Sequence, residues 1–313
     1  MFSDRMQKSH LYSVFFAPRG FERMAELGMQ IAQQYLSPFD KLIGIIGQAG
    51  SGKSMLIKGM FPGLELTNDD DGVNIRPLPL LEVLDTDEED TSFYSAHTYH
   101  LDIHFEGAFT QRHELAEAIL KAVARGKRVI VEHFDLIYPL LNQNADLLIG
   151  IGEEVIITRP TLFGPEPADI AEIVFKSMPF RRMIHSAEDL CEYVMRKYGL
   201  TEGFQHSDVR HGFIFSFQKK PELAVSLDVI EQDVNDLIKA DISISFHDEL
   251  HIRIGEELWL CHGPRMHVRS AGEIKHFILN KEYLTEPSTG RYLLVGTVGE
   301  AGSQKLSDLN KIG

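Results

Sequence analysis

The sequence predicts two successive folds: an α/β domain with a mostly parallel sheet over residues 1–180, and an α+β domain over 181–313. Three observations predict this. Short apolar runs alternate with helical stripes through the first half, the order that buries a parallel sheet between helices. A glycine-rich stretch, "GQAGSGKS" at 47–54, falls where a strand-like run gives way to a helix-like one. Beyond residue 180 the pattern changes to two helices among several short strands.

In chain order, "FERMAELGMQIAQQYL" (21–36) has helical spacing and is expected to cover one face of the sheet. "KLIGIIG" (41–47) reads as a buried strand, and "KSMLIKGMF" as the start of a helix. "RHELAEAILKAVARGK" (112–127) places Leu115, Ile119, Leu120 and Val123 on one helical stripe and ends on basic residues around Gly126. "RVIVEHF", "ADLLIGIG" and "EVIIT" follow as buried strands. In the second half a helix is expected over roughly 185–197. "GFIFSF" alternates Phe213, Phe215 and Phe217 as a half-buried strand does. "SLDVIEQDVNDLIKA" aligns Leu227, Ile230, Val234 and Leu237/Ile238 on one helix face. "ISISF", "LHIRI", "ELWLC", "KHFIL" and "YLLVGTV" complete the pattern as strands. There is no internal repeat and no low-complexity tract.

Composition narrows the class. The 313 residues suit about two domains. Hydrophobic residues make up 43% and charged residues 25%, the balance of a globular protein with enough apolar material for two cores. No apolar run approaches the roughly 18 residues that span a bilayer, so no membrane partner is expected. The first residues lack a basic start followed by an apolar stretch, so no secretion signal is read. Two cysteines, Cys191 and Cys261, make no disulfide framework, and a reducing cytoplasm is expected. The formal net charge of −15 argues against a general nucleic-acid coat. The imbalance is greater in 1–180, with 15 basic against 26 acidic side chains, than in 181–313, with 16 against 20. An RNA contact would therefore sit more easily on a local patch of the second half.

Gly47, Gln48, Ala49, Gly50, Ser51, Gly52, Lys53 and Ser54 fit the pattern G-x-x-x-x-G-K-[ST] between a strand and a helix. Such a loop turns its backbone N–H groups inward on phosphate oxygens. The lysine reaches the β- and γ-phosphates and the hydroxyl serves Mg²⁺. Lys53 is expected to be an exposed loop side chain that carries charge for a ligand. A magnesium site also needs an acid at the end of a neighbouring strand, which Glu132 supplies in "RVIVEHFD", with Asp135 a turn later. In the acidic segment "TNDDDG", Asp70, with Asp69 and Asp71 beside it, is the candidate base for a substrate hydroxyl. The same residues also suit a solvated turn. The run "DTDEED" (85–90) reads as solvated loop.

On "GQAGSGKS", the acidic residues 69–71 and "VIVEHFDLIY", residues 40–160 resemble the P-loop nucleoside kinases, bacterial uridine kinases in particular. That resemblance implies ATP or GTP with Mg²⁺ held by Ser54 and Glu132, and phosphoryl transfer with Lys53, Glu132 and Asp70 as catalytic residues. "YHLDIHF" and "VIVEHF" are more weakly similar to the small bacterial ATPase that assists threonylcarbamoylation of tRNA. His97, His100 and His104 lie in and beside the first of these, and their spacing along a strand reads as exposed imidazoles.

The second chemical constellation centres on "LCHGPRMHVRSAGEI" (260–274). His185 and Asp189, four apart on a helix, project from one face, and Cys261 and His267 flank a Gly-Pro turn. Together these four are a candidate tetrahedral zinc set. Cys191 faces elsewhere and reads as core. The blocks "MIHSAEDL", "VRHGFIFSF", "LDVIEQDVNDLIKADISI" and "LCHGPRMHVRSAGEIKHFIL" resemble, in that order, the second additional domain of threonyl- and alanyl-tRNA synthetases, whose free-standing relatives remove wrongly attached amino acids from tRNA. This sequence departs from the family's H-x-x-x-H at Asp189 and from its C-x-x-x-H by two inserted residues before His267. The resemblance implies either a zinc-dependent deacylase or a metal-free pocket for an aminoacylated tRNA end. The whole chain then reads as an NTPase or nucleoside-type kinase linked to an editing-like domain. Its rival is a nucleotide-gated binding protein whose editing-like domain is catalytically inactive.

Overall fold

The structure, a computed structural model, describes residues 12–64, 66, 78–85, 97–200, 203–299 and 309. The chain divides into two compact units: Met1–Phe15 with Glu22–Lys176, and Phe16–Phe21 with Ser177–Gly313. It is an α/β protein. One sheet is mixed with mostly parallel strands, and the others are antiparallel. Among the described residues no helix is long and apolar enough to cross a membrane.

The first unit runs β1 (Tyr12–Phe16), α1 (Phe21–Tyr35), β2 (Leu42–Gly47) and α2 (Lys53–Met60). After a 3-10 turn at Pro79–Leu81 come α3 (Glu82–Asp85), β3 (Thr98–Asp102), α4 (Ile103–Glu106) and α5 (Arg112–Ala124). β4 (Arg128–Glu132), α6 (Phe134–Leu141), β5 (Leu147–Ile151) and β6 (Glu154–Thr158) complete it. The sheet order is β1-β6-β5-β2-β4-β3. β2 lies between β4 and β5, parallel to both, and every one of its six residues is buried. That is why "LIGIIG" is continuous rather than alternating. β6 departs from the parallel pattern. Only Gly152 and Glu153 separate it from β5, too few for a crossover, so the chain reverses and β6 pairs antiparallel.

Two devices fix this unit. Helices α1 and α2 meet backbone to backbone: a Cβ at Gly59 would stand 2.1 Å from the Ala25 carbonyl oxygen, and one at Gly28 2.3 Å from that of Leu56. No side chain fits between them. Before β2, the buried carboxylate of Asp40 accepts both guanidinium nitrogens of Arg159, at 2.6 and 2.8 Å. Arg159 also donates to the carbonyls of Tyr35 and, at 3.1 Å, Asp146. This buried pair, with further bonds from the guanidinium to two carbonyls, ties the chain before β2 to the residue after β6.

α7 (Pro167–Lys197) is a single helix of 31 residues, far longer than the segment 185–197 expected from the sequence. Pro179 lies inside this helix. The second unit adds β7 (Phe204–Val209), β8 (Gly212–Phe217), α8 (Leu227–Lys239), β9 (Ile244–Asp248), β10 (His251–Ile254) and β11 (Glu257–Leu260). After a second 3-10 turn at Ala271–Glu273 come β12 (Ile278–Leu279), β13 (Leu284–Thr285) and β14 (Tyr292–Thr297). Its sheets are β12-β14-β8-β7, with β13 on β14, and β11-β10-β9. Phe213, Phe215 and Phe217 share one core with Ala187, Leu190 and Cys191 of α7 and with Ile230 and Val234 of α8. β7 was invisible to the sequence reading because "FQHSDV" is polar and half exposed. It is the outermost strand of its sheet, where one face of the alternation is wet.

Candidate functional site

The "GQAGSGKS" residues stand at the end of β2, in the loop after it and in the first turn of α2. Gly50 and Gly52 have φ of +78° and +95°, a backbone that side-chain-bearing residues rarely adopt. Gly52 is the N-cap of α2 and brings no side-chain cap, so the first amides of α2 are left to other partners. Lys53 is not the exposed loop side chain that the sequence suggested. It is 6% exposed, donates to the Gln48 carbonyl at 3.2 Å, and lies 3.6 Å from Glu132. The fold tucks it against a buried acid, a pairing that sequence spacing does not reveal.

Glu132 ends β4, beside the end of β2. Its Oε1 accepts from Ser54 Oγ at 3.2 Å and lies 3.2 Å from His100 Nε2. Burial alone would raise its pKa, but the His100 hydrogen bond, with the further electrostatic effects of His100 and Lys53, outweighs burial and holds it below the usual carboxylate value. The carboxylate is therefore ionised at neutral pH. His100 is buried in this contact, which corrects the expectation of exposed imidazoles along the strand; His97 and His104 are exposed. The edge strand β3 lies directly against β4, so His100 points at Glu132 instead of at water.

Two further groups, Asp102 and His133, converge here. Asp102 ends β3 in register with Glu132, and its Oδ1 accepts the amides of His104 and Phe105 as the N-cap of α4. His133 caps α6 in the left-handed region, with φ of 56°. Ligand atoms of Asp102, Glu132 and His133 lie within 4.8 Å of one another. Burial, then the charge of Lys53, pulls the His133 pKa down to about 4, so the ring is neutral. Asp102 was findable by the rule that selected Glu132, an acid closing an apolar strand. Asp135 has a raised pKa, mainly from burial, and its Oδ1 is buried without a hydrogen bond. Asp70, with Asp69 and Asp71, lies outside the described residues. The hard oxygen donors of Ser54 and Glu132, already 3.2 Å apart, suit Mg²⁺.

In the second unit His185, Asp189 and Cys261 are buried and His267 nearly so. Ligand atoms of Asp189, Cys261 and His267 lie within 4.8 Å of one another, but His185 stays outside that set. Its Nδ1 is buried with no hydrogen-bond partner. Burial, then the charges of Arg19 and Arg181, keeps the His185 ring neutral. Cys191 is core, as expected, and burial pushes its thiol pKa up.

The centre of the cluster is a residue that no local pattern of the sequence marks. Arg19, more than 160 residues away in the chain, donates Nη1 to Glu188 at 2.6 Å and Nη2 to Asp189 and, at 3.2 Å, to the Cys261 sulfur. Cys261 also receives the Gly263 amide at 3.3 Å. His267 Nε2 lies 2.6 Å from Asp189 Oδ2, a hydrogen-bond distance. Two ligands of one tetrahedral zinc would stand about 3.3 Å apart, given zinc–donor bonds of about 2.0–2.1 Å. A divalent ion on the same sulfur and carboxylate would also face the guanidinium, a repulsion of several kcal/mol even at an effective dielectric of about 20. As arranged, the donors do not fit zinc. No protein-family model matches the chain, and no curated protein matches it.

Proposed function

We propose that the first unit binds a nucleoside triphosphate, ATP or GTP, at residues 47–54 and that its terminal phosphoryl group is transferred or hydrolysed there. The observation that carries this reading is the convergence of Lys53, Ser54 and Glu132 at the ends of adjacent parallel strands. Ligands of open parallel sheets bind outside these carboxyl ends. The amides at the start of α2 hold phosphate oxygens, and Lys53 supplies a positive charge to the β/γ bridge. Ser54 and Glu132 would hold Mg²⁺, which neutralises the charge that gathers on the terminal phosphates. Asp102, fixed by its capping bonds, and neutral His133 would orient the attacking hydroxyl or water.

The second unit, by its likeness to the synthetase editing domain, would recognise the aminoacylated end of a tRNA. A second reading makes the protein a nucleotide-gated binder whose second unit does not hydrolyse the ester. The Arg19 guanidinium within the Asp189–Cys261–His267 cluster favours this second reading for that unit.

Turnover separates the two. The protein is mixed with Mg–ATP or Mg–GTP, with and without tRNA or uridine, and phosphate and phosphorylated product are followed. Turnover stimulated by tRNA or a nucleoside supports the enzyme. Nucleotide binding without stimulation supports the gated binder, and absence of both binding and turnover rejects the site.

A further inference from the structure

We propose that the guanidinium of Arg19 is the built-in cation of the Asp189–Cys261–His267 cluster, standing where a metal ion would, so that the second unit is complete without metal. This deepens the second reading of that unit and is independent of nucleotide binding by the first.

Three observations carry it. The guanidinium satisfies the acidic side of the cluster: its two terminal nitrogens bond Glu188 and Asp189, and the second also reaches the Cys261 sulfur. A planar fork of donors suits two neighbouring carboxylates better than an ammonium would. Secondly, the remaining donors are occupied by hydrogen bonds rather than left converging on an empty point. His267 is bonded to Asp189, its Nδ1 lies 3.3 Å from the Pro264 carbonyl, and the Gly263 amide points at the sulfur. Thirdly, the side chain is buried and built in. Arg19 is 6% exposed, its Nη1 also lies 3.5 Å from the His185 carbonyl, and residues 16–21 belong to the same compact unit as the cluster. Burying an arginine this deeply is costly unless its charge is met, and here two buried carboxylates meet it.

The geometry also says what removing Arg19 does. Asp189 and Cys261 lose their shared cation, and Asp189, Cys261 and His267 remain as three donors within 4.8 Å of one another. Arg19→Ala should therefore turn a metal-free cluster into one that takes a thiolate-preferring divalent ion.

The test uses the full-length protein purified without chelator and with zinc in the growth medium. Elemental analysis should find no stoichiometric zinc in the wild type. Titration with Co²⁺ should give no thiolate-to-cobalt absorption. Arg19→Ala should take up about one Co²⁺ per chain with that absorption, and Arg19→Ala/Cys261→Ser should not. About one zinc per chain in the wild type overturns the proposal, as does a folded Arg19→Ala protein that takes up no cobalt. If Arg19→Ala does not fold, the wild-type zinc and cobalt readings decide alone. Mg–ATP binding, measured on the same samples, reports on the first unit separately.

Discussion

The hydroxyl of Ser54 lies 3.2 Å from the carboxylate of Glu132, although 78 residues separate them. Two neighbouring parallel strands end together, one in a glycine loop that starts a helix and the other in an acid. Lys53 reaches the same carboxylate from the adjoining position on α2. This small set of contacts is the core of the functional reading.

Glu132→Gln keeps the shape and the contacts to Ser54 and His100 but removes the charge. Nucleotide should still bind, whereas magnesium-dependent turnover should fall by about 100-fold or more, since charge-stabilising groups of this kind are worth about 3 kcal/mol. Single-turnover phosphate release over a magnesium titration measures both effects. Turnover equal to wild type would remove Glu132 from the site.

Gly59→Ala tests the contact between α1 and α2. Its Cβ would stand 2.1 Å from the backbone oxygen of Ala25, so the helices must separate. A loss of about 2–4 kcal/mol is expected in urea unfolding, with nucleotide affinity lowered because α2 carries Lys53 and Ser54. An unchanged midpoint would mean that the helices do not approach so closely.

Arg159→Ala takes the guanidinium away from the buried carboxylate of Asp40, which keeps the Ser37 amide at 2.6 Å. The expected loss is about 3–5 kcal/mol, the usual cost of breaking a buried pair from one side. Arg159→Ala/Asp40→Ala should recover part of it, as a double-mutant cycle by urea unfolding would show.

The second unit should have a defined pH profile. Burial lowers the His267 pKa, but its bonds to Asp189 and Cys261 more than offset this and raise it to about 9. A raised pKa stabilises the fold fully below the unfolded value of 6.5, and the contribution is lost as pH climbs toward 9. Asp189 and Glu188 are shifted the other way. Burial raises both, but Arg19 with the neighbouring histidines wins, so their contributions hold above the unfolded values of 3.8 and 4.5 and fade below them. His185 is held neutral, which costs stability as pH falls below 6.5. Thermal unfolding should therefore be highest near neutrality and lower by about 5 °C or more at pH 9. His267→Gln should flatten the alkaline limb. A wild-type profile flat from pH 6.5 to 9 would contradict the protonated His267–Asp189 pair.

Much of the first unit was legible because its signals are local. Apolar runs gave β2, β4 and β5, and the glycine pattern placed Lys53 and Ser54 at the start of α2. Glu132 followed from an acid closing a buried strand. The burial of Lys53 and of His100 was not legible, because both follow from which strands become neighbours. The antiparallel turn of β6 was implied by a two-residue loop but masked by an apolar run that suits either direction. In the second unit local spacing brings out Asp189, Cys261 and His267, whose ligand atoms lie together, and His185, which stays outside their set, but not Arg19. Its role depends wholly on a tertiary contact between residues 19, 188, 189 and 261.

The most direct measurement is calorimetric titration of the intact protein with Mg²⁺ and a non-hydrolysable ATP or GTP analogue, beside Lys53→Ala. Wild type should bind one equivalent with a Kd between about 1 μM and 1 mM, and Lys53→Ala should bind at least about tenfold more weakly, a loss of about 1.4 kcal/mol or more. No saturable binding by the wild type, or equal affinity in the two proteins, would contradict a triphosphate site at residues 47–54.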